Sequence, residues 1–245
     1  MGRDDRSRLL APQQREAQHR PPGPCPVQRR GHPAVLAGVW DHSSFRADLL
    51  GRLRRTARFI AITTYGDRAE AAAAIARVRD VHRRVAGTLP DGTGYKADDP
   101  DLLAWVHLTE AWSFLAAWQQ YGAWRLLPAQ QDRYYAEFAT IGAAIGAHAV
   151  PYGRIGAADA LDRMRPGLIV DHRTHEVARL VLGHMPDNPL AIPLQRVTMQ
   201  AAVDLLPGWA RRMHGLPASP PFFRPFVGMS AFGVAATLRW AFGNV

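Results

Sequence analysis

The chain has 245 residues and a mass of 27.1 kDa, and its 47% hydrophobic content is enough for one sizeable core, which excludes disorder throughout. It carries 30 basic side chains against 21 acidic ones, a formal charge of +9, and Lys96 is the only lysine, so nearly all of the positive charge is guanidinium. The excess is concentrated in residues 1–58, where 12 arginines stand against five acidic residues, and such a stretch is more simply a solvated basic tail than a nucleic-acid contact.

Cysteine content and hydropathy predict the compartment. Cys25 is the only cysteine in the sequence, so an intramolecular disulfide and a cysteine-ligated zinc or iron–sulfur site are excluded. The first residues are charged, but no apolar stretch of signal-peptide length follows them. The longest uncharged apolar run, 225–238, is shorter than the ~20 residues that span a bilayer. We therefore predict a cytoplasmic protein without an export signal, and peripheral contact with a membrane or lipid stays open.

Periodicity divides the chain into two parts. Residues 1–31 are rich in arginine and proline without helical or strand periodicity, which predicts a flexible extension. From His32 onwards apolar residues recur at spacings of three and four, and no segment shows sustained alternation, which predicts a single all-α domain over 32–245. In chain order, helices are predicted over 44–65, 69–86, 99–121, 129–147, 157–164, 171–182, 189–205 and 225–242, with a Gly-rich loop over 89–95.

Several helix ends carry local signals. Gly66 and Gly87 are predicted to end the first two helices, because glycine is favoured just after a helix. Asp67 can cap the second helix through its side chain. Asp99 followed by Pro100 is a strong start signal for the third helix, since proline is tolerated in the first turn.

His82 lies on the apolar face of the second predicted helix, in line with Ile75, Val78 and Val85. Spacings of three and four direct this face towards the core, where an imidazole needs a partner. Two interpretations are open at this point: a core histidine that hydrogen-bonds a neighbour, or an axial ligand to a metal or haem iron.

His107 lies on the third predicted helix, with Glu110 one turn further on. Glu110 could accept the ring N–H, an arrangement that orients metal ligands and also occurs in ordinary core polar pairs. No His-Glu-x-x-His pattern surrounds His107, and nothing nearby completes a zinc site. His107 is thus a second candidate for cofactor binding.

Arg52 and Thr56 lie four residues apart on one face of the first predicted helix, followed by Phe59 and Ile60. A guanidinium and a hydroxyl beside an apolar strip suit a site that holds an anion against an apolar cavity. The alternative is an amphipathic helix whose arginines are solvated.

The sequence lacks the phosphate-binding and nucleophile motifs of several enzyme classes. It contains no Gly-x-Gly-x-x-Gly opening a helix after a strand, no Walker loop, no Gly-x-Ser-x-Gly elbow and no Cys-x-x-Cys-His. These absences argue against dinucleotide, ATP and serine-hydrolase chemistry and against covalent haem.

A series of short motifs follows residue 31: His32-Pro33, Trp40-Asp-His-Ser-Ser-Phe45, Gly51-Arg-Leu-Arg-Arg-Thr56, Val81-His82, Asp99-Pro100, Trp105-Val-His107, Tyr134-Tyr135 and Leu206-Pro-Gly-Trp209. In this order they resemble the MpaB-type oxygenase and rubber-oxygenase (latex clearing protein) family. The resemblance implies an all-helical, globin-like fold that holds a non-covalent haem b and uses dioxygen to cleave isoprenoid carbon–carbon double bonds.

The resemblance also assigns residues. The family's Val-Arg-x-x-His-x-x-Val-Arg pattern is matched by residues 78–85 in all but its last position, which makes His82 the iron ligand. Arg52 and Thr56 match the Arg-x-x-x-Thr motif beside the haem, and Arg55 occupies the basic position before the threonine. The resemblance thus makes Arg52, Arg55 and Thr56 the catalytic candidates, with Arg52 also placed against the haem. His107 remains the second candidate for cofactor binding.

Departures from the family pattern narrow the expected substrate. Ala86-Gly87 replaces the Arg-His pair that ends the rubber-oxygenase pattern, which favours the MpaB-like branch. No glutamate base can be matched, and the Arg/Pro-rich extension stands where the family has a helical segment. We expect a small apolar substrate and no specific nucleic acid; the oligomeric state is not predicted. The aromatic candidates for the pocket lining are Phe59, Trp105, Phe114 and Trp118.

Two alternatives to an oxygenase remain at this stage. One is a catalytically inactive haem- or lipid-binding protein on the same scaffold. The other is a basic helical regulator whose first 58 residues contact nucleic acid.

Overall fold

The computed structural model describes residues 31–43, 45–220 and 222, which form nine α-helices and one short β-hairpin. In chain order these are α1 (Gly31–His42), α2 (Leu49–Tyr65), α3 (Arg68–Arg83), β1 (Ala86–Thr88), β2 (Gly94–Lys96), α4 (Pro100–Tyr121), α5 (Pro128–Ile145), α6 (Arg154–Met164), α7 (His172–Leu182), α8 (Ile192–Leu205) and α9 (Gly208–His214). The predicted extension, apart from its last residue, and the predicted helix over 225–242 lie outside the described residues.

The predicted all-α class is confirmed, and the helices with the clearest start signals begin where predicted. The Asp99 carboxylate accepts the backbone N–H groups of Asp101 at 2.9 Å and Leu102 at 3.3 Å, with Pro100 as the first helical residue of α4. The Asp67 carboxylate accepts the N–H of Glu70 at 2.8 Å and caps α3 in the same way. Side-chain caps satisfy N–H groups that the helix itself leaves without partners.

Two helices and several predicted boundaries differ from the sequence prediction. Helices α1 and α9 were not predicted, and α2 begins at Leu49 because Asp48 accepts the N–H of Gly51. Helix α3 ends at Arg83, three residues before its predicted end, and the predicted helix over 189–205 is divided into a 3-10 turn and α8. These ends depend on single side-chain or backbone hydrogen bonds, which periodicity does not report.

The hairpin lies where the sequence predicts the end of a helix and a Gly-rich loop. Strands β1 and β2 are antiparallel, with Gly87 opposite Tyr95. Gly92 turns the chain with a φ of +83°, a conformation that favours glycine. Three residues per strand are too few to show strand periodicity, so the hairpin has no signal in the sequence.

Helix α4 is the centre of the described fold and contributes eight buried residues. One cluster joins α4 to α5 and α6 through Leu108, Tyr135 and Ala157. A second joins α4 to α1 and the hairpin through Leu102 and Tyr95. In contrast, α2, which is described over its whole length, has no buried residue. The helix pair α2–α3 is therefore attached to the side of the core.

Over the described part of the chain, no helix combines the length and the apolar character that crossing a membrane requires.

Candidate functional site

Two of the predicted site segments lie on consecutive helices, α2 and α3. They pack against each other and are joined by only two residues, Gly66 and Asp67. Arg52 lies in the first turn of α2, and His82 lies in the last turn of α3. No hydrogen bond joins these two side chains in the described structure, and their grouping in one site stays a prediction.

His82 is half-buried, and its Nδ1 is enclosed without a hydrogen-bond partner among the described residues. Burial lowers the pKa of the imidazole, and the charge of Asp98 opposes that shift. The neutral ring is therefore favoured, and a neutral imidazole is the form that coordinates a metal. A carbonyl or carboxylate acceptor for the second ring nitrogen, as metal ligands commonly have, is not found in the described structure.

His107 is placed differently, in the interface between α4 and α5. Its Nε2 donates to the carbonyl oxygen of Phe138 at 2.8 Å, and its ring stacks on the Phe138 ring with centroids 4.5 Å apart. The side chain is 5% exposed. A Cβ built on Gly142 would lie 2.6 Å from His107 Cδ2, so the ring is in direct contact with the α5 backbone.

The surroundings of His107 are those of a core histidine. The suggested hydrogen bond between His107 and Glu110 is wrong, because the ring N–H is directed to Phe138 instead. Glu110 is half-buried, and burial raises its pKa. His107 therefore has a structural partner, whereas His82 has none in the described structure.

Arg52 is half-buried at the start of α2, and its Nη1 donates to Ser43 Oγ at 2.6 Å. Among the described residues, no carboxylate lies within ion-pair distance of this guanidinium. Burial and the neighbouring charge of Arg55 lower the pKa of Arg52, but an arginine stays charged at physiological pH. A partly buried cation with only a hydroxyl partner is suited to an anion.

Arg55 and Thr56 lie on the outside of α2. Arg55 is exposed, and its Nη1 donates to Asp48 Oδ2 at 3.2 Å. Thr56 is also exposed, and its hydroxyl makes no hydrogen bond with the described residues. Both side chains are therefore more exposed than Arg52.

The C-terminal end of α1 connects Arg52 to His82 and was not recognised from the sequence as part of the site. Ser43, the partner of Arg52, follows His42, whose Nε2 donates to the carbonyl oxygen of Ala86 at 3.0 Å. Ala86 follows Val85, whose N–H donates to the carbonyl oxygen of His82 at 3.1 Å. Only the Asp-His-Ser-Ser string pointed to this segment, and it did not specify a contact.

Tyr95 of β2 holds the C-terminal end of α1 against the hairpin. Its hydroxyl donates to Asp41 Oδ2 at 2.8 Å, and burial together with this carboxylate raises the Tyr95 pKa to about 12. A Cβ on Gly87 would lie 2.6 Å from the Tyr95 hydroxyl oxygen. The glycine that departs from the rubber-oxygenase pattern therefore makes room for the tyrosine.

The four aromatic residues predicted to line a pocket do not form one wall. Trp105 is buried within the α4 core, and Phe114 is 39% exposed on the same helix. Phe59 and Trp118 are half-buried, and Trp118 packs edge-to-face on Trp124. No group of three or more His, Cys, Asp and Glu side chains suited to a metal ion occurs in the described part of the chain, and a haem iron needs only one or two protein ligands.

Comparison with known families gives one match. The family described as "ER-bound oxygenase mpaB/B'/Rubber oxygenase, catalytic domain" matches residues 27–240 of the chain. No curated protein and no solved structure matches the chain.

Proposed function

The chain belongs to the MpaB/rubber oxygenase catalytic-domain family, whose activity is that of an oxygenase, and we propose that it is a haem b-dependent oxygenase acting on an apolar, isoprenoid-type substrate with dioxygen as co-substrate. In that reaction the two atoms of O2 end on the two carbons of a cleaved C=C bond, which become two carbonyl groups. The family match supports oxygenase activity, and the dependence on haem and the substrate class are the parts that we propose.

His82 is the residue that would hold the haem iron. Burial keeps its ring neutral, and one ring nitrogen is enclosed without a partner in the described structure. Haem b bound beside it would supply the iron at which dioxygen is activated. The last turn of α3 and the hairpin that follows it would position this imidazole.

Arg52 and Ser43 fit a site for a carboxylate, such as a haem propionate. The guanidinium retains free N–H donors after its bond to Ser43, because arginine has five. Ser43 accepts from Arg52, so its own hydroxyl hydrogen is available to a second acceptor. Together they would present charge-assisted hydrogen bonds to one anion. Thr56 and Arg55, both exposed, are proposed to contact the same ligand or the substrate.

The enclosed, unpartnered nitrogen of His82 is the observation that carries this proposal, and absorption spectroscopy tests it. Full-length protein supplied with haem should show a Soret band, and His82→Ala should lose it while its far-ultraviolet circular dichroism stays unchanged. His148→Ala is the matched control, because His148 is exposed and is not one of the predicted site residues.

Two outcomes would contradict the proposal. Wild-type protein that gains no Soret band on haem addition would exclude haem dependence. If folded His107→Ala loses the Soret band while His82→Ala keeps it, then His82 is not the iron ligand. Turnover is then tested with a polyprenyl substrate under ¹⁸O2, which should give carbonyl products that carry ¹⁸O.

A further inference from the structure

A cavity lies between α7, α8 and the segment that follows α9. It has a volume of about 380 Å³, within the range of small-molecule sites. Val177 and Val181 of α7, Val203 of α8, and Leu206 and Leu216 after α8 and α9 are among the residues that line it. None of the predicted site residues lines this cavity, so it is separate from the region around His82.

The lining offers very few polar groups. Thr174 is one, but its hydroxyl already donates to Asp171 Oδ1 at 2.9 Å and is buried. His214 is the other, and its Nδ1 is enclosed without a partner among the described residues. A buried polar atom without a hydrogen bond is costly, so a ligand that satisfies it gains affinity.

The charge state of His214 limits the kind of ligand. Burial and the neighbouring His175 lower the pKa of His214, so its ring is neutral at physiological pH. The described residues that line the cavity include no Lys, Arg, Asp or Glu. A charged head group would therefore enter the cavity without a counter-ion, at a large desolvation cost.

From the apolar walls and the single available nitrogen, we infer that this cavity binds a neutral, mainly hydrocarbon molecule that ends in one hydroxyl or carbonyl oxygen. The hydrocarbon part lies between the valines of α7 and the side chains of α8. The terminal oxygen exchanges a hydrogen bond with His214 Nδ1. This site is assigned independently of the haem proposal.

Binding is tested on the full-length protein with Nile red, a neutral apolar fluorophore that carries a carbonyl group. The dye should bind the wild type and be displaced by 1-decanol. Val181→Trp places an indole in the cavity and should lower Nile red affinity at least tenfold. The matched control is Val106→Trp, since Val106 is exposed on α4, away from the cavity, and it should bind the dye like the wild type.

The polar contact is tested with His214→Phe, which keeps a ring but removes the nitrogen. The ratio of the affinities for 1-decanol and decane should fall about fivefold in this variant, as expected for one net hydrogen bond. An unchanged ratio would overturn the role of His214. Failure of the full-length wild type to bind Nile red, for example because residues 223–245 fill the cavity, or unchanged binding by folded Val181→Trp, would overturn the site itself.

Discussion

Replacing Gly142 by alanine tests the contact between α4 and α5 that holds His107. The added Cβ would lie 2.6 Å from His107 Cδ2 and 2.8 Å from Nε2, closer than real side chains approach. The imidazole would have to move away from the carbonyl oxygen of Phe138, to which it is bonded at 2.8 Å. Both partners belong to the best-buried part of the described fold.

Three effects set the size of the change in the free energy of unfolding. Overpacking a well-filled core costs about 1–3 kcal/mol. A buried polar group left without its hydrogen bond costs about 1–3 kcal/mol more. Alanine in place of a helical glycine returns about 1 kcal/mol. The expected net loss is about 3 kcal/mol, or about 1.5 M in the urea midpoint at a slope of roughly 2 kcal/mol/M.

Equilibrium urea unfolding, followed by far-ultraviolet circular dichroism, measures this loss. Gly156→Ala on α6 is the control, because its Cβ would meet Pro151 only at 3.6 Å, and it should stabilise the protein by about 0.5–1 kcal/mol. A Gly142→Ala protein as stable as the wild type would show that His107 is not tightly packed against α5.

Three further changes test other contacts. Gly87→Ala should lower the free energy of unfolding by about 2 kcal/mol, because its Cβ would lie 2.6 Å from the Tyr95 hydroxyl oxygen; Gly94→Ala, with 4.0 Å of space, should be neutral. Burial acts to raise the pKa of the Asp171 carboxyl group. Hydrogen bonds from Thr174 and Arg173 outweigh this effect and hold the pKa at about 2, below its usual 3.8. The ionised carboxylate should contribute about 1–2 kcal/mol to the free energy of unfolding, fully above pH 4 and progressively less as the pH falls towards 2. An equally steep acid transition in Asp171→Asn would contradict this. Ser43→Ala should weaken haem binding about tenfold through loss of a charge-assisted hydrogen bond, measured by haem titration, whereas Ser113→Ala should not.

The sequence was sufficient where local chemistry decides the structure. Helix α4 begins at Pro100 as predicted, because both the capping carboxylate of Asp99 and the proline act within one turn. The half-buried position of His82 also follows from spacing along a single helix. Neither feature requires knowledge of what packs against it.

Contacts between distant segments could not be predicted in this way. Ser43 is joined to Arg52 across the turn between α1 and α2, and the partner of His107 is a backbone carbonyl 31 residues away. A backbone acceptor has no sequence signature, so Glu110, one turn away, was the more visible partner. The hairpin likewise depends on Tyr95 packing against a glycine and reaching Asp41.

The different burial of the helices leads to a final prediction about the pair α2–α3. None of the residues of α2, all of which the structure describes, is buried, and α3 buries only Ala74, whereas α4 buries eight residues. Helices with so few buried contacts open locally more easily than a central helix. Amide hydrogens of α2 and α3 should therefore exchange faster than those of α4 in the haem-free protein.

Haem bound between His82 and Arg52 would stabilise this pair by mass action. At a free haem concentration 100 times its dissociation constant, the stabilisation is about 2.7 kcal/mol, which corresponds to roughly hundredfold slower exchange through local opening. Hydrogen exchange followed by mass spectrometry should show this slowing in α2 and α3 of the wild type and of His148→Ala, and not in His82→Ala. If α2 already exchanges as slowly as α4 without haem, or does not respond to it, then these helices do not form the binding site.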